Sequence, residues 1–177
     1  MNSSHLPVLE LKPDCSRCCG LCCVAPAFVV SSEFAISKKP GKPCPKLTPD
    51  FRCSIHSRLR QEGFPGCVAY DCFGAGQRVT QITYRGRTWK DGPDVAEQMF
   101  EVFSVMQTLH SMLNYLAEAL PMSPKGPIFD ELAAKREEIE AMTVGTPEEI
   151  LAVDLRSLRR EVGDLLTRFS ALVRTPA

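Results

Sequence analysis

The sequence predicts a mainly α protein in which an irregular cysteine-rich metal-binding segment packs on a C-terminal antiparallel three-helix segment. Three observations predict it. All nine cysteines lie at or before residue 72, and five of them fall between residues 15 and 23. From Asp91 onward, apolar residues recur at steps of four and three, which places them on one helical stripe. Charge divides along the same line: residues 1–90 carry 13 Lys and Arg against 6 Asp and Glu, while residues 91–177 carry 8 against 15. The expected organisation is a metal- or cluster-binding region over residues 1–90 and a helical hairpin or three-helix bundle over 91–177.

A chain of 177 residues with 44% hydrophobic and 24% charged side chains has the composition of a folded protein and not of a disordered one. Its start, MNSSHLPVLELKPD, has no basic segment leading into an apolar run, so no secretory signal is read there. No window is apolar for long enough to span a bilayer. A cytoplasmic address without a membrane partner is the expectation. In that reducing compartment, clustered cysteines are metal ligands more often than disulfides.

The elements follow in order. Residues 1–13 are a lead-in, with Val8, Leu9 and Leu11 placed to dock on the body. Residues 14–23 are too short and too interrupted by Gly20 for a regular element. Residues 27–30 read as an extended segment, and Ser31 or Ser32 as the cap of a brief helix through Glu33, Phe34 and Ile36. Four prolines and a glycine stiffen the loop 40–49, which presents Cys44. Residues 53–60 read as a short helix stopped at Gly63. Phe64-Pro65-Gly66 then turns the chain into Cys67, with Cys72 five residues on. Residues 74–89 suit either a strand turning at Arg85-Gly86 or a short helix lined by Val79 and Ile82.

The long helix is marked by Val95, Met99, Val102, Met106, Leu109, Leu113, Leu116 and Leu120. Phe100, Phe103, Val105 and Met112 widen its stripe, so it must touch more than one neighbour. Pro121, Pro124 and Pro127 end it. A second helix is expected from about residue 128 to 142, with Leu132, Ile139 and Met142 inward and a Glu131–Lys135 pair one turn apart. The third starts at Thr146 as N-cap, with Pro147 first in the helix and Glu149 placed for a capping box. Its stripe runs through Leu151, Leu155, Leu158, Val162, Leu165, Phe169 and Leu172, and short connections imply an antiparallel bundle.

The chemistry lies in Cys15-x2-Cys18-x3-Cys22-Cys23. A two-residue gap lets two thiolates face one ion across a tight turn, and Gly20 lets the chain fold back between pairs. Zinc takes four such ligands in a tetrahedron, and an iron–sulfur cubane takes four around a larger body. Either leaves a site of about −2, which the basic balance of this half suits. Arg17, Arg52, Arg58 and Arg60 are expected beside ligands, where positive charge favours the thiolate. The same arginines, with Tyr70 and Phe73 for stacking, form no stripe along which nucleic acid would run, so nucleic acid is not an expected partner. His56, three residues after Cys53, suits a place on a helix face or a hydrogen bond to a ligand, with direct ligation as the rival reading. His110 reads as structural, and His5 lies in the lead-in. Gly74-Ala75-Gly76 is too short for a nucleotide loop and instead lets the chain pass close to a metal or a helix. No nucleophile–base–acid arrangement or paired-carboxylate pattern stands out, so no reaction is assigned.

These cysteines, followed by Cys44 in its proline-rich loop, Cys53-x-Ile55-His56-x-Arg58 and Cys67-x4-Cys72, resemble the bacterial cysteine-cluster family described as zinc- or iron-chelating. PCPKLTPDFRCSIHSRLRQEGFPGC and YDCFGAGQ are similar to the amino-terminal segment of some bacterial pentapeptide-repeat proteins, although no such repeats follow here. The resemblance covers residues 14–90. It implies eight ligands, Cys15, Cys18, Cys22, Cys23, Cys44, Cys53, Cys67 and Cys72, around an iron–sulfur cluster or Zn2+. Cys19 is extra to that spacing, although a Cys19-x2-Cys22 register would make Cys18 the spare. The expected function is metal-cluster binding with a redox or electron-transfer role. The alternative is a structural-zinc module that binds protein partners and has no catalytic activity.

Overall fold

The computed structural model describes residues 8–174, and the reading of His5 lies outside them. The chain is mainly helical. In order it forms α1 (Leu21–Val24), α2 (Pro65–Ala69), α3 (Ala75–Arg78), α4 (Pro93–Met122), α5 (Pro127–Met142), α6 (Pro147–Leu151) and α7 (Leu155–Arg174). Short 3-10 turns occupy Cys15–Arg17, His56–Arg58 and Trp89–Asp91, and a π turn at Val79–Thr83 extends α3. Extended pairing among the described residues is limited to two isolated bridges, Phe28 with Lys38 and Leu47 with Cys53.

α4 is the axis of the fold because its stripe is apolar over seven turns. Met99, Val102, Met106, Leu109, Leu113 and Leu116 are fully buried, and α5, α6 and α7 all pack on this helix. Ion pairs give the helix directions. Lys135 Nζ lies 2.8 Å from Glu161, and Arg168 pairs with Glu131, so α5 and α7 are antiparallel. Gln98 bonds Glu148 at 2.9 Å and Arg159 bonds Thr108 at 3.1 Å, which runs α7 alongside α4 in the same direction. The result is an up-down-up bundle. Cys19, Leu21, Val24, Ala75, Val79 and Tyr84 join the same core, so the cysteine-rich half and the helices share one apolar interior.

Local physics corrects several sequence expectations. Residues 31–36 form bends and not a helix, because Ser31 N bonds the Phe34 carbonyl and the segment returns to pair Lys38 with Phe28. Residues 53–60 make only a 3-10 turn before Gly63, whose φ is +81°. Residues 74–89 are helical at their start and not a strand. α4 continues one residue beyond Pro121, since a proline in the last turn removes little helical bonding. The third helix is two. The Thr146–Glu149 capping box starts α6 as expected, but the Asp154 carboxylate accepts from Arg156 N and Ser157 N and so starts a second helix inside one apolar stripe. The Glu131–Lys135 pair is replaced by the cross-helix pairs above and by Lys135–Glu138 at 2.6 Å. In the lead-in, Leu9 and Leu11 pack on the core, whereas Val8 is 83% exposed.

One polar contact ties α4 to the cysteine half. His110 is fully buried, and its Nδ1 lies 2.6 Å from the carbonyl oxygen of Phe73, so Nδ1 carries the proton. Its Nε2 is then a bare acceptor without a hydrogen-bond partner. Phe73 has a φ of +47°, an uncomfortable conformation for a side chain with a Cβ, and it directly follows Cys72. Burial drives the His110 pKa down from 6.5 to about 4, with the Phe73 bond opposing and the Arg78 charge assisting. The unfolded chain therefore binds a proton that the folded chain refuses. Stability from this group is fully present above pH 6.5 and is lost as pH falls toward 4, by up to about 3 kcal/mol. Denaturant unfolding at stepped pH should show that slope in the wild type. It should be flatter in His110→Asn, which retains a donor and does not titrate.

Candidate metal centre

Four separate segments bring cysteines to one end of the fold, and each is held by local bonds. Asp14 caps the first turn by accepting from Ser16 N at 2.8 Å, and its own N–H donates to Gln77 Oε1 at 2.9 Å. Gln77 also donates to the Lys12 carbonyl at 2.8 Å, so α3 clasps the strand of chain leading to Cys15. Gly20 then reverses the backbone at φ +73°, where a Cβ would lie 2.9 Å from Leu47 Cδ1. Cys44 N donates to Cys23 O at 2.9 Å, and the Leu47–Cys53 bridge draws Cys53 alongside. Ala75 N bonds Cys72 O at 2.9 Å, which sets Cys72 at the mouth of α3.

All nine cysteines are free thiols. Cys19 does not face its neighbours. It is 1% exposed, its Sγ lies 3.7 Å from Met99 Sδ and 3.4 Å from Thr80 Oγ1, and its carbonyl accepts from Trp89 Nε1 at 2.8 Å. The other eight sort by which thiols act on which. Cys15 and Cys18 are both raised by Cys72, and Cys22 is raised by Cys18 and Cys72. Cys44, Cys53 and Cys67 are each raised by Cys23, and Cys53 and Cys67 are raised also by Cys44. These influences favour two groups, Cys15, Cys18, Cys22 and Cys72, then Cys23, Cys44, Cys53 and Cys67, and they also cross between them, since Cys15 is raised by Cys23 and Cys53 by Cys15. The adjacent pair Cys22–Cys23 joins them, with the Cys22 thiol donating to Cys23.

The surroundings fit thiolates. Backbone N–H groups of Leu21 and Gly20 point at Cys18 Sγ, that of Lys46 at Cys44 and that of Ile55 at Cys53. Such donors stabilise a negative sulfur. Desolvation outweighs these donors and pushes Cys18 and Cys67 up to about 11. Cys23 runs the other way, lowered first by the Cys22 bond and then by Lys38 and a Cys53 bond. Among the described residues, no three Cys, His, Asp or Glu side chains close into a coordination group.

Gly76 fills the role foreseen for the Gly74-Ala75-Gly76 stretch. A Cβ there would sit 2.7 Å from Cys18 Sγ and 4.0 Å from Cys72 Sγ, so only glycine lets α3 lie against the first set. His56 is exposed on its 3-10 turn. Of the four arginines expected beside ligands, Arg52 is the one whose charge is felt at a thiol, lowering Cys15. Arg17 is paired with Glu10 at 2.7 Å and Arg58 with Glu62 at 3.6 Å. Sequence reasoning missed Lys38 and read Tyr70 only for stacking. Tyr70 is 41% exposed, and its phenol is shifted upward by partial desolvation and by the charges of Cys22, Cys72 and Cys18. Nothing in a Ser-Lys-Lys-Pro run marks one lysine for burial.

Fold and thiol sets together define a mainly helical, cysteine-rich protein. No family model matches the chain, and no solved structure matches it. It is 48% identical over 168 residues to the protein of Bacillus subtilis (strain 168) named uncharacterized protein YybG, a match covering 95% of this chain. The chain spans 60% of that relative's length. Among the described residues, no helix is long and apolar enough to cross a membrane.

The tight fit at Gly76 has a direct test. Gly76→Ala should destabilise the chain by about 1–3 kcal/mol through overpacking. It should also speed alkylation of Cys18 and Cys72 relative to Cys67. Denaturant titration and site-resolved mass spectrometry read the two effects.

Proposed function

We propose that this chain is a metal-cluster-binding protein that holds iron–sulfur or zinc in two adjoining four-thiolate sites, with a redox or electron-transfer role. One site is Cys15, Cys18, Cys22 and Cys72, and the other is Cys23, Cys44, Cys53 and Cys67. The observation that carries this reading is the convergence of eight thiols from four chain segments, with Cys18 and Cys72 meeting at Gly76 and the Cys44 N–Cys23 O bond and the Leu47–Cys53 bridge drawing in the others. Gathering that many groups that repel once ionised is unfavourable unless a cation or cluster compensates them. Amide donors on Cys18, Cys44 and Cys53 and the glycine cradle at Gly76 support the same reading.

A single structural zinc needs four thiolates, and this chain supplies twice that number. Cys22 and Cys23 are consecutive, so their Cα atoms are about 3.8 Å apart and the two sites are in near contact. Close sites suit electron exchange between clusters. The second reading, a structural-zinc module that binds protein partners, draws on one observation. Val29 and Val30 are 69% and 64% exposed on the loop beside the stacked Phe28 and Phe34 rings, an apolar tip next to the thiols. Nucleic acid is disfavoured because Arg17, Lys46 and Arg58 are paired with Glu10 and Glu62 and Lys38 is held by backbone carbonyls.

Anaerobic purification followed by metal analysis, sulfide assay and a visible spectrum tests both. The expected result is iron with acid-labile sulfide and thiolate-to-iron absorption, reduced by about half in Cys72→Ser and in Cys67→Ser alike. A colourless protein with about two zinc per chain would retire the redox role and leave the zinc module. A chain carrying neither metal would end the metal-binding reading.

A further inference from the structure

The least expected group beside the thiols is a buried ammonium. Lys38 is only 7% exposed. Its Nζ donates to the carbonyls of Val24 at 2.9 Å, Lys39 at 3.1 Å and Lys42 at 2.8 Å, and lies 5.6 Å from the centre of the Phe28 ring. Its backbone is pinned to Phe28 in both directions, at 2.8 and 3.1 Å. Those three carbonyls satisfy its donors, but they are dipoles and do not neutralise its charge. Among the described residues, the ion pairs of this region join Arg17 to Glu10 and both Lys46 and Arg58 to Glu62, and none takes in Lys38.

A buried cation without a carboxylate partner is costly unless another anion faces it. The groups on which the Lys38 charge bears are Cys23 and Cys44, both of the second set. The backbone around the ammonium also belongs to that set. Val24 follows Cys23, Lys42 lies two residues before Cys44, and Cys44 N closes the loop onto Cys23 O at 2.9 Å. The first set has no comparable group: the cation acting there is Arg52, half-buried and bonded to the Ser16 carbonyl at 3.2 Å.

We propose that Lys38 is a built-in counter-cation of the Cys23, Cys44, Cys53 and Cys67 site, which makes the two thiolate sites electrically unequal. Four thiolates around a divalent ion sum to about −2, and an adjacent fixed positive charge brings the second site to about −1. In a partly desolvated setting that difference favours the loaded form of the second site, so it fills first and releases last. This inference rests on the reading of two four-thiolate sites.

The test loads the full-length chain, stripped of metal under reducing conditions, with Co2+ and follows thiolate-to-cobalt absorption, then displaces Co2+ with Zn2+. Wild type is expected to take up about two equivalents, one tighter than the other. Lys38→Met and Lys38→Gln should weaken the tighter equivalent by roughly 10- to 100-fold and leave the other within about twofold, while Lys38→Arg retains wild-type order. Gln retains a hydrogen-bonding head without charge, so it separates charge from loop bracing, and it also covers the case in which Met does not fold. Two wild-type-like equivalents in Lys38→Gln, or equal weakening of both, would overturn the inference while leaving the sites standing. A wild-type chain that shows no thiolate–cobalt absorption would instead end the two-site reading itself.

Discussion

Cys19 is buried against Met99, and this contact decides which way the rest of the cysteine stretch faces. The Cys19 Sγ touches Met99 Sδ at 3.7 Å, Thr80 closes over it, and Trp89 takes its carbonyl. A residue held on three sides inside the core acts as a peg. Cys18 and Cys22, on either side of it, are then turned outward toward Cys72, and the left-handed Gly20 carries the chain round to Cys23. Without the peg, five thiols in nine residues would have no preferred face. Cys19 therefore serves the fold, while Cys18 and Cys22 are left only partly buried.

The opposing constraint is electrostatic. Thiols brought together out of water resist ionisation, which is why Cys18 and Cys67 rise to about 11. Fixed donors work against this: amide N–H groups at three sulfurs, Arg52 beyond Cys15 and Lys38 behind Cys23 and Cys44. The arrangement is poised so that a bound cation would complete what the amides and lysine begin, since metal binding displaces thiol protons. The helical bundle gives this poised region rigidity. α1, α3 and the turn at Val79–Thr83 all lie on α4, and His110 of α4 holds the strained residue that follows Cys72.

Much of this was legible in local pattern. The stripe from Met99 to Leu116 is what a buried central helix must look like, and the Thr146–Glu149 box formed as read. Other features were illegible because they depend on competition between distant parts. The apolar spacing from Leu151 to Leu172 is continuous, yet Asp154 interrupts it by capping, a choice that a periodicity cannot register. Glu131 and Lys135 have ideal spacing for each other and instead reach across to α7. Two of the four arginines near the cysteines, Arg17 and Arg58, turned to carboxylates, and a lysine with no local signal lies buried where its charge lowers Cys23 and Cys44.

By itself the sequence determined that this chain is mainly helical and that its thiols gather in the first half, because periodicity and cysteine spacing are local properties of the chain. It left open whether Cys19 or Cys18 is extra to the resembled spacing. Only the tertiary structure decided how the remaining thiols come together, since Cys22 and Cys23 are joined thiol to thiol while Cys22 also feels Cys18 and Cys72 and Cys23 also bonds Cys53. That convergence needs Gly76 to admit Cys18 beside Cys72, and the Cys23–Cys44 backbone bond to recruit the proline-rich loop. Both are contacts between residues distant in the chain, and their outcome is set by packing on α4 and not by spacing.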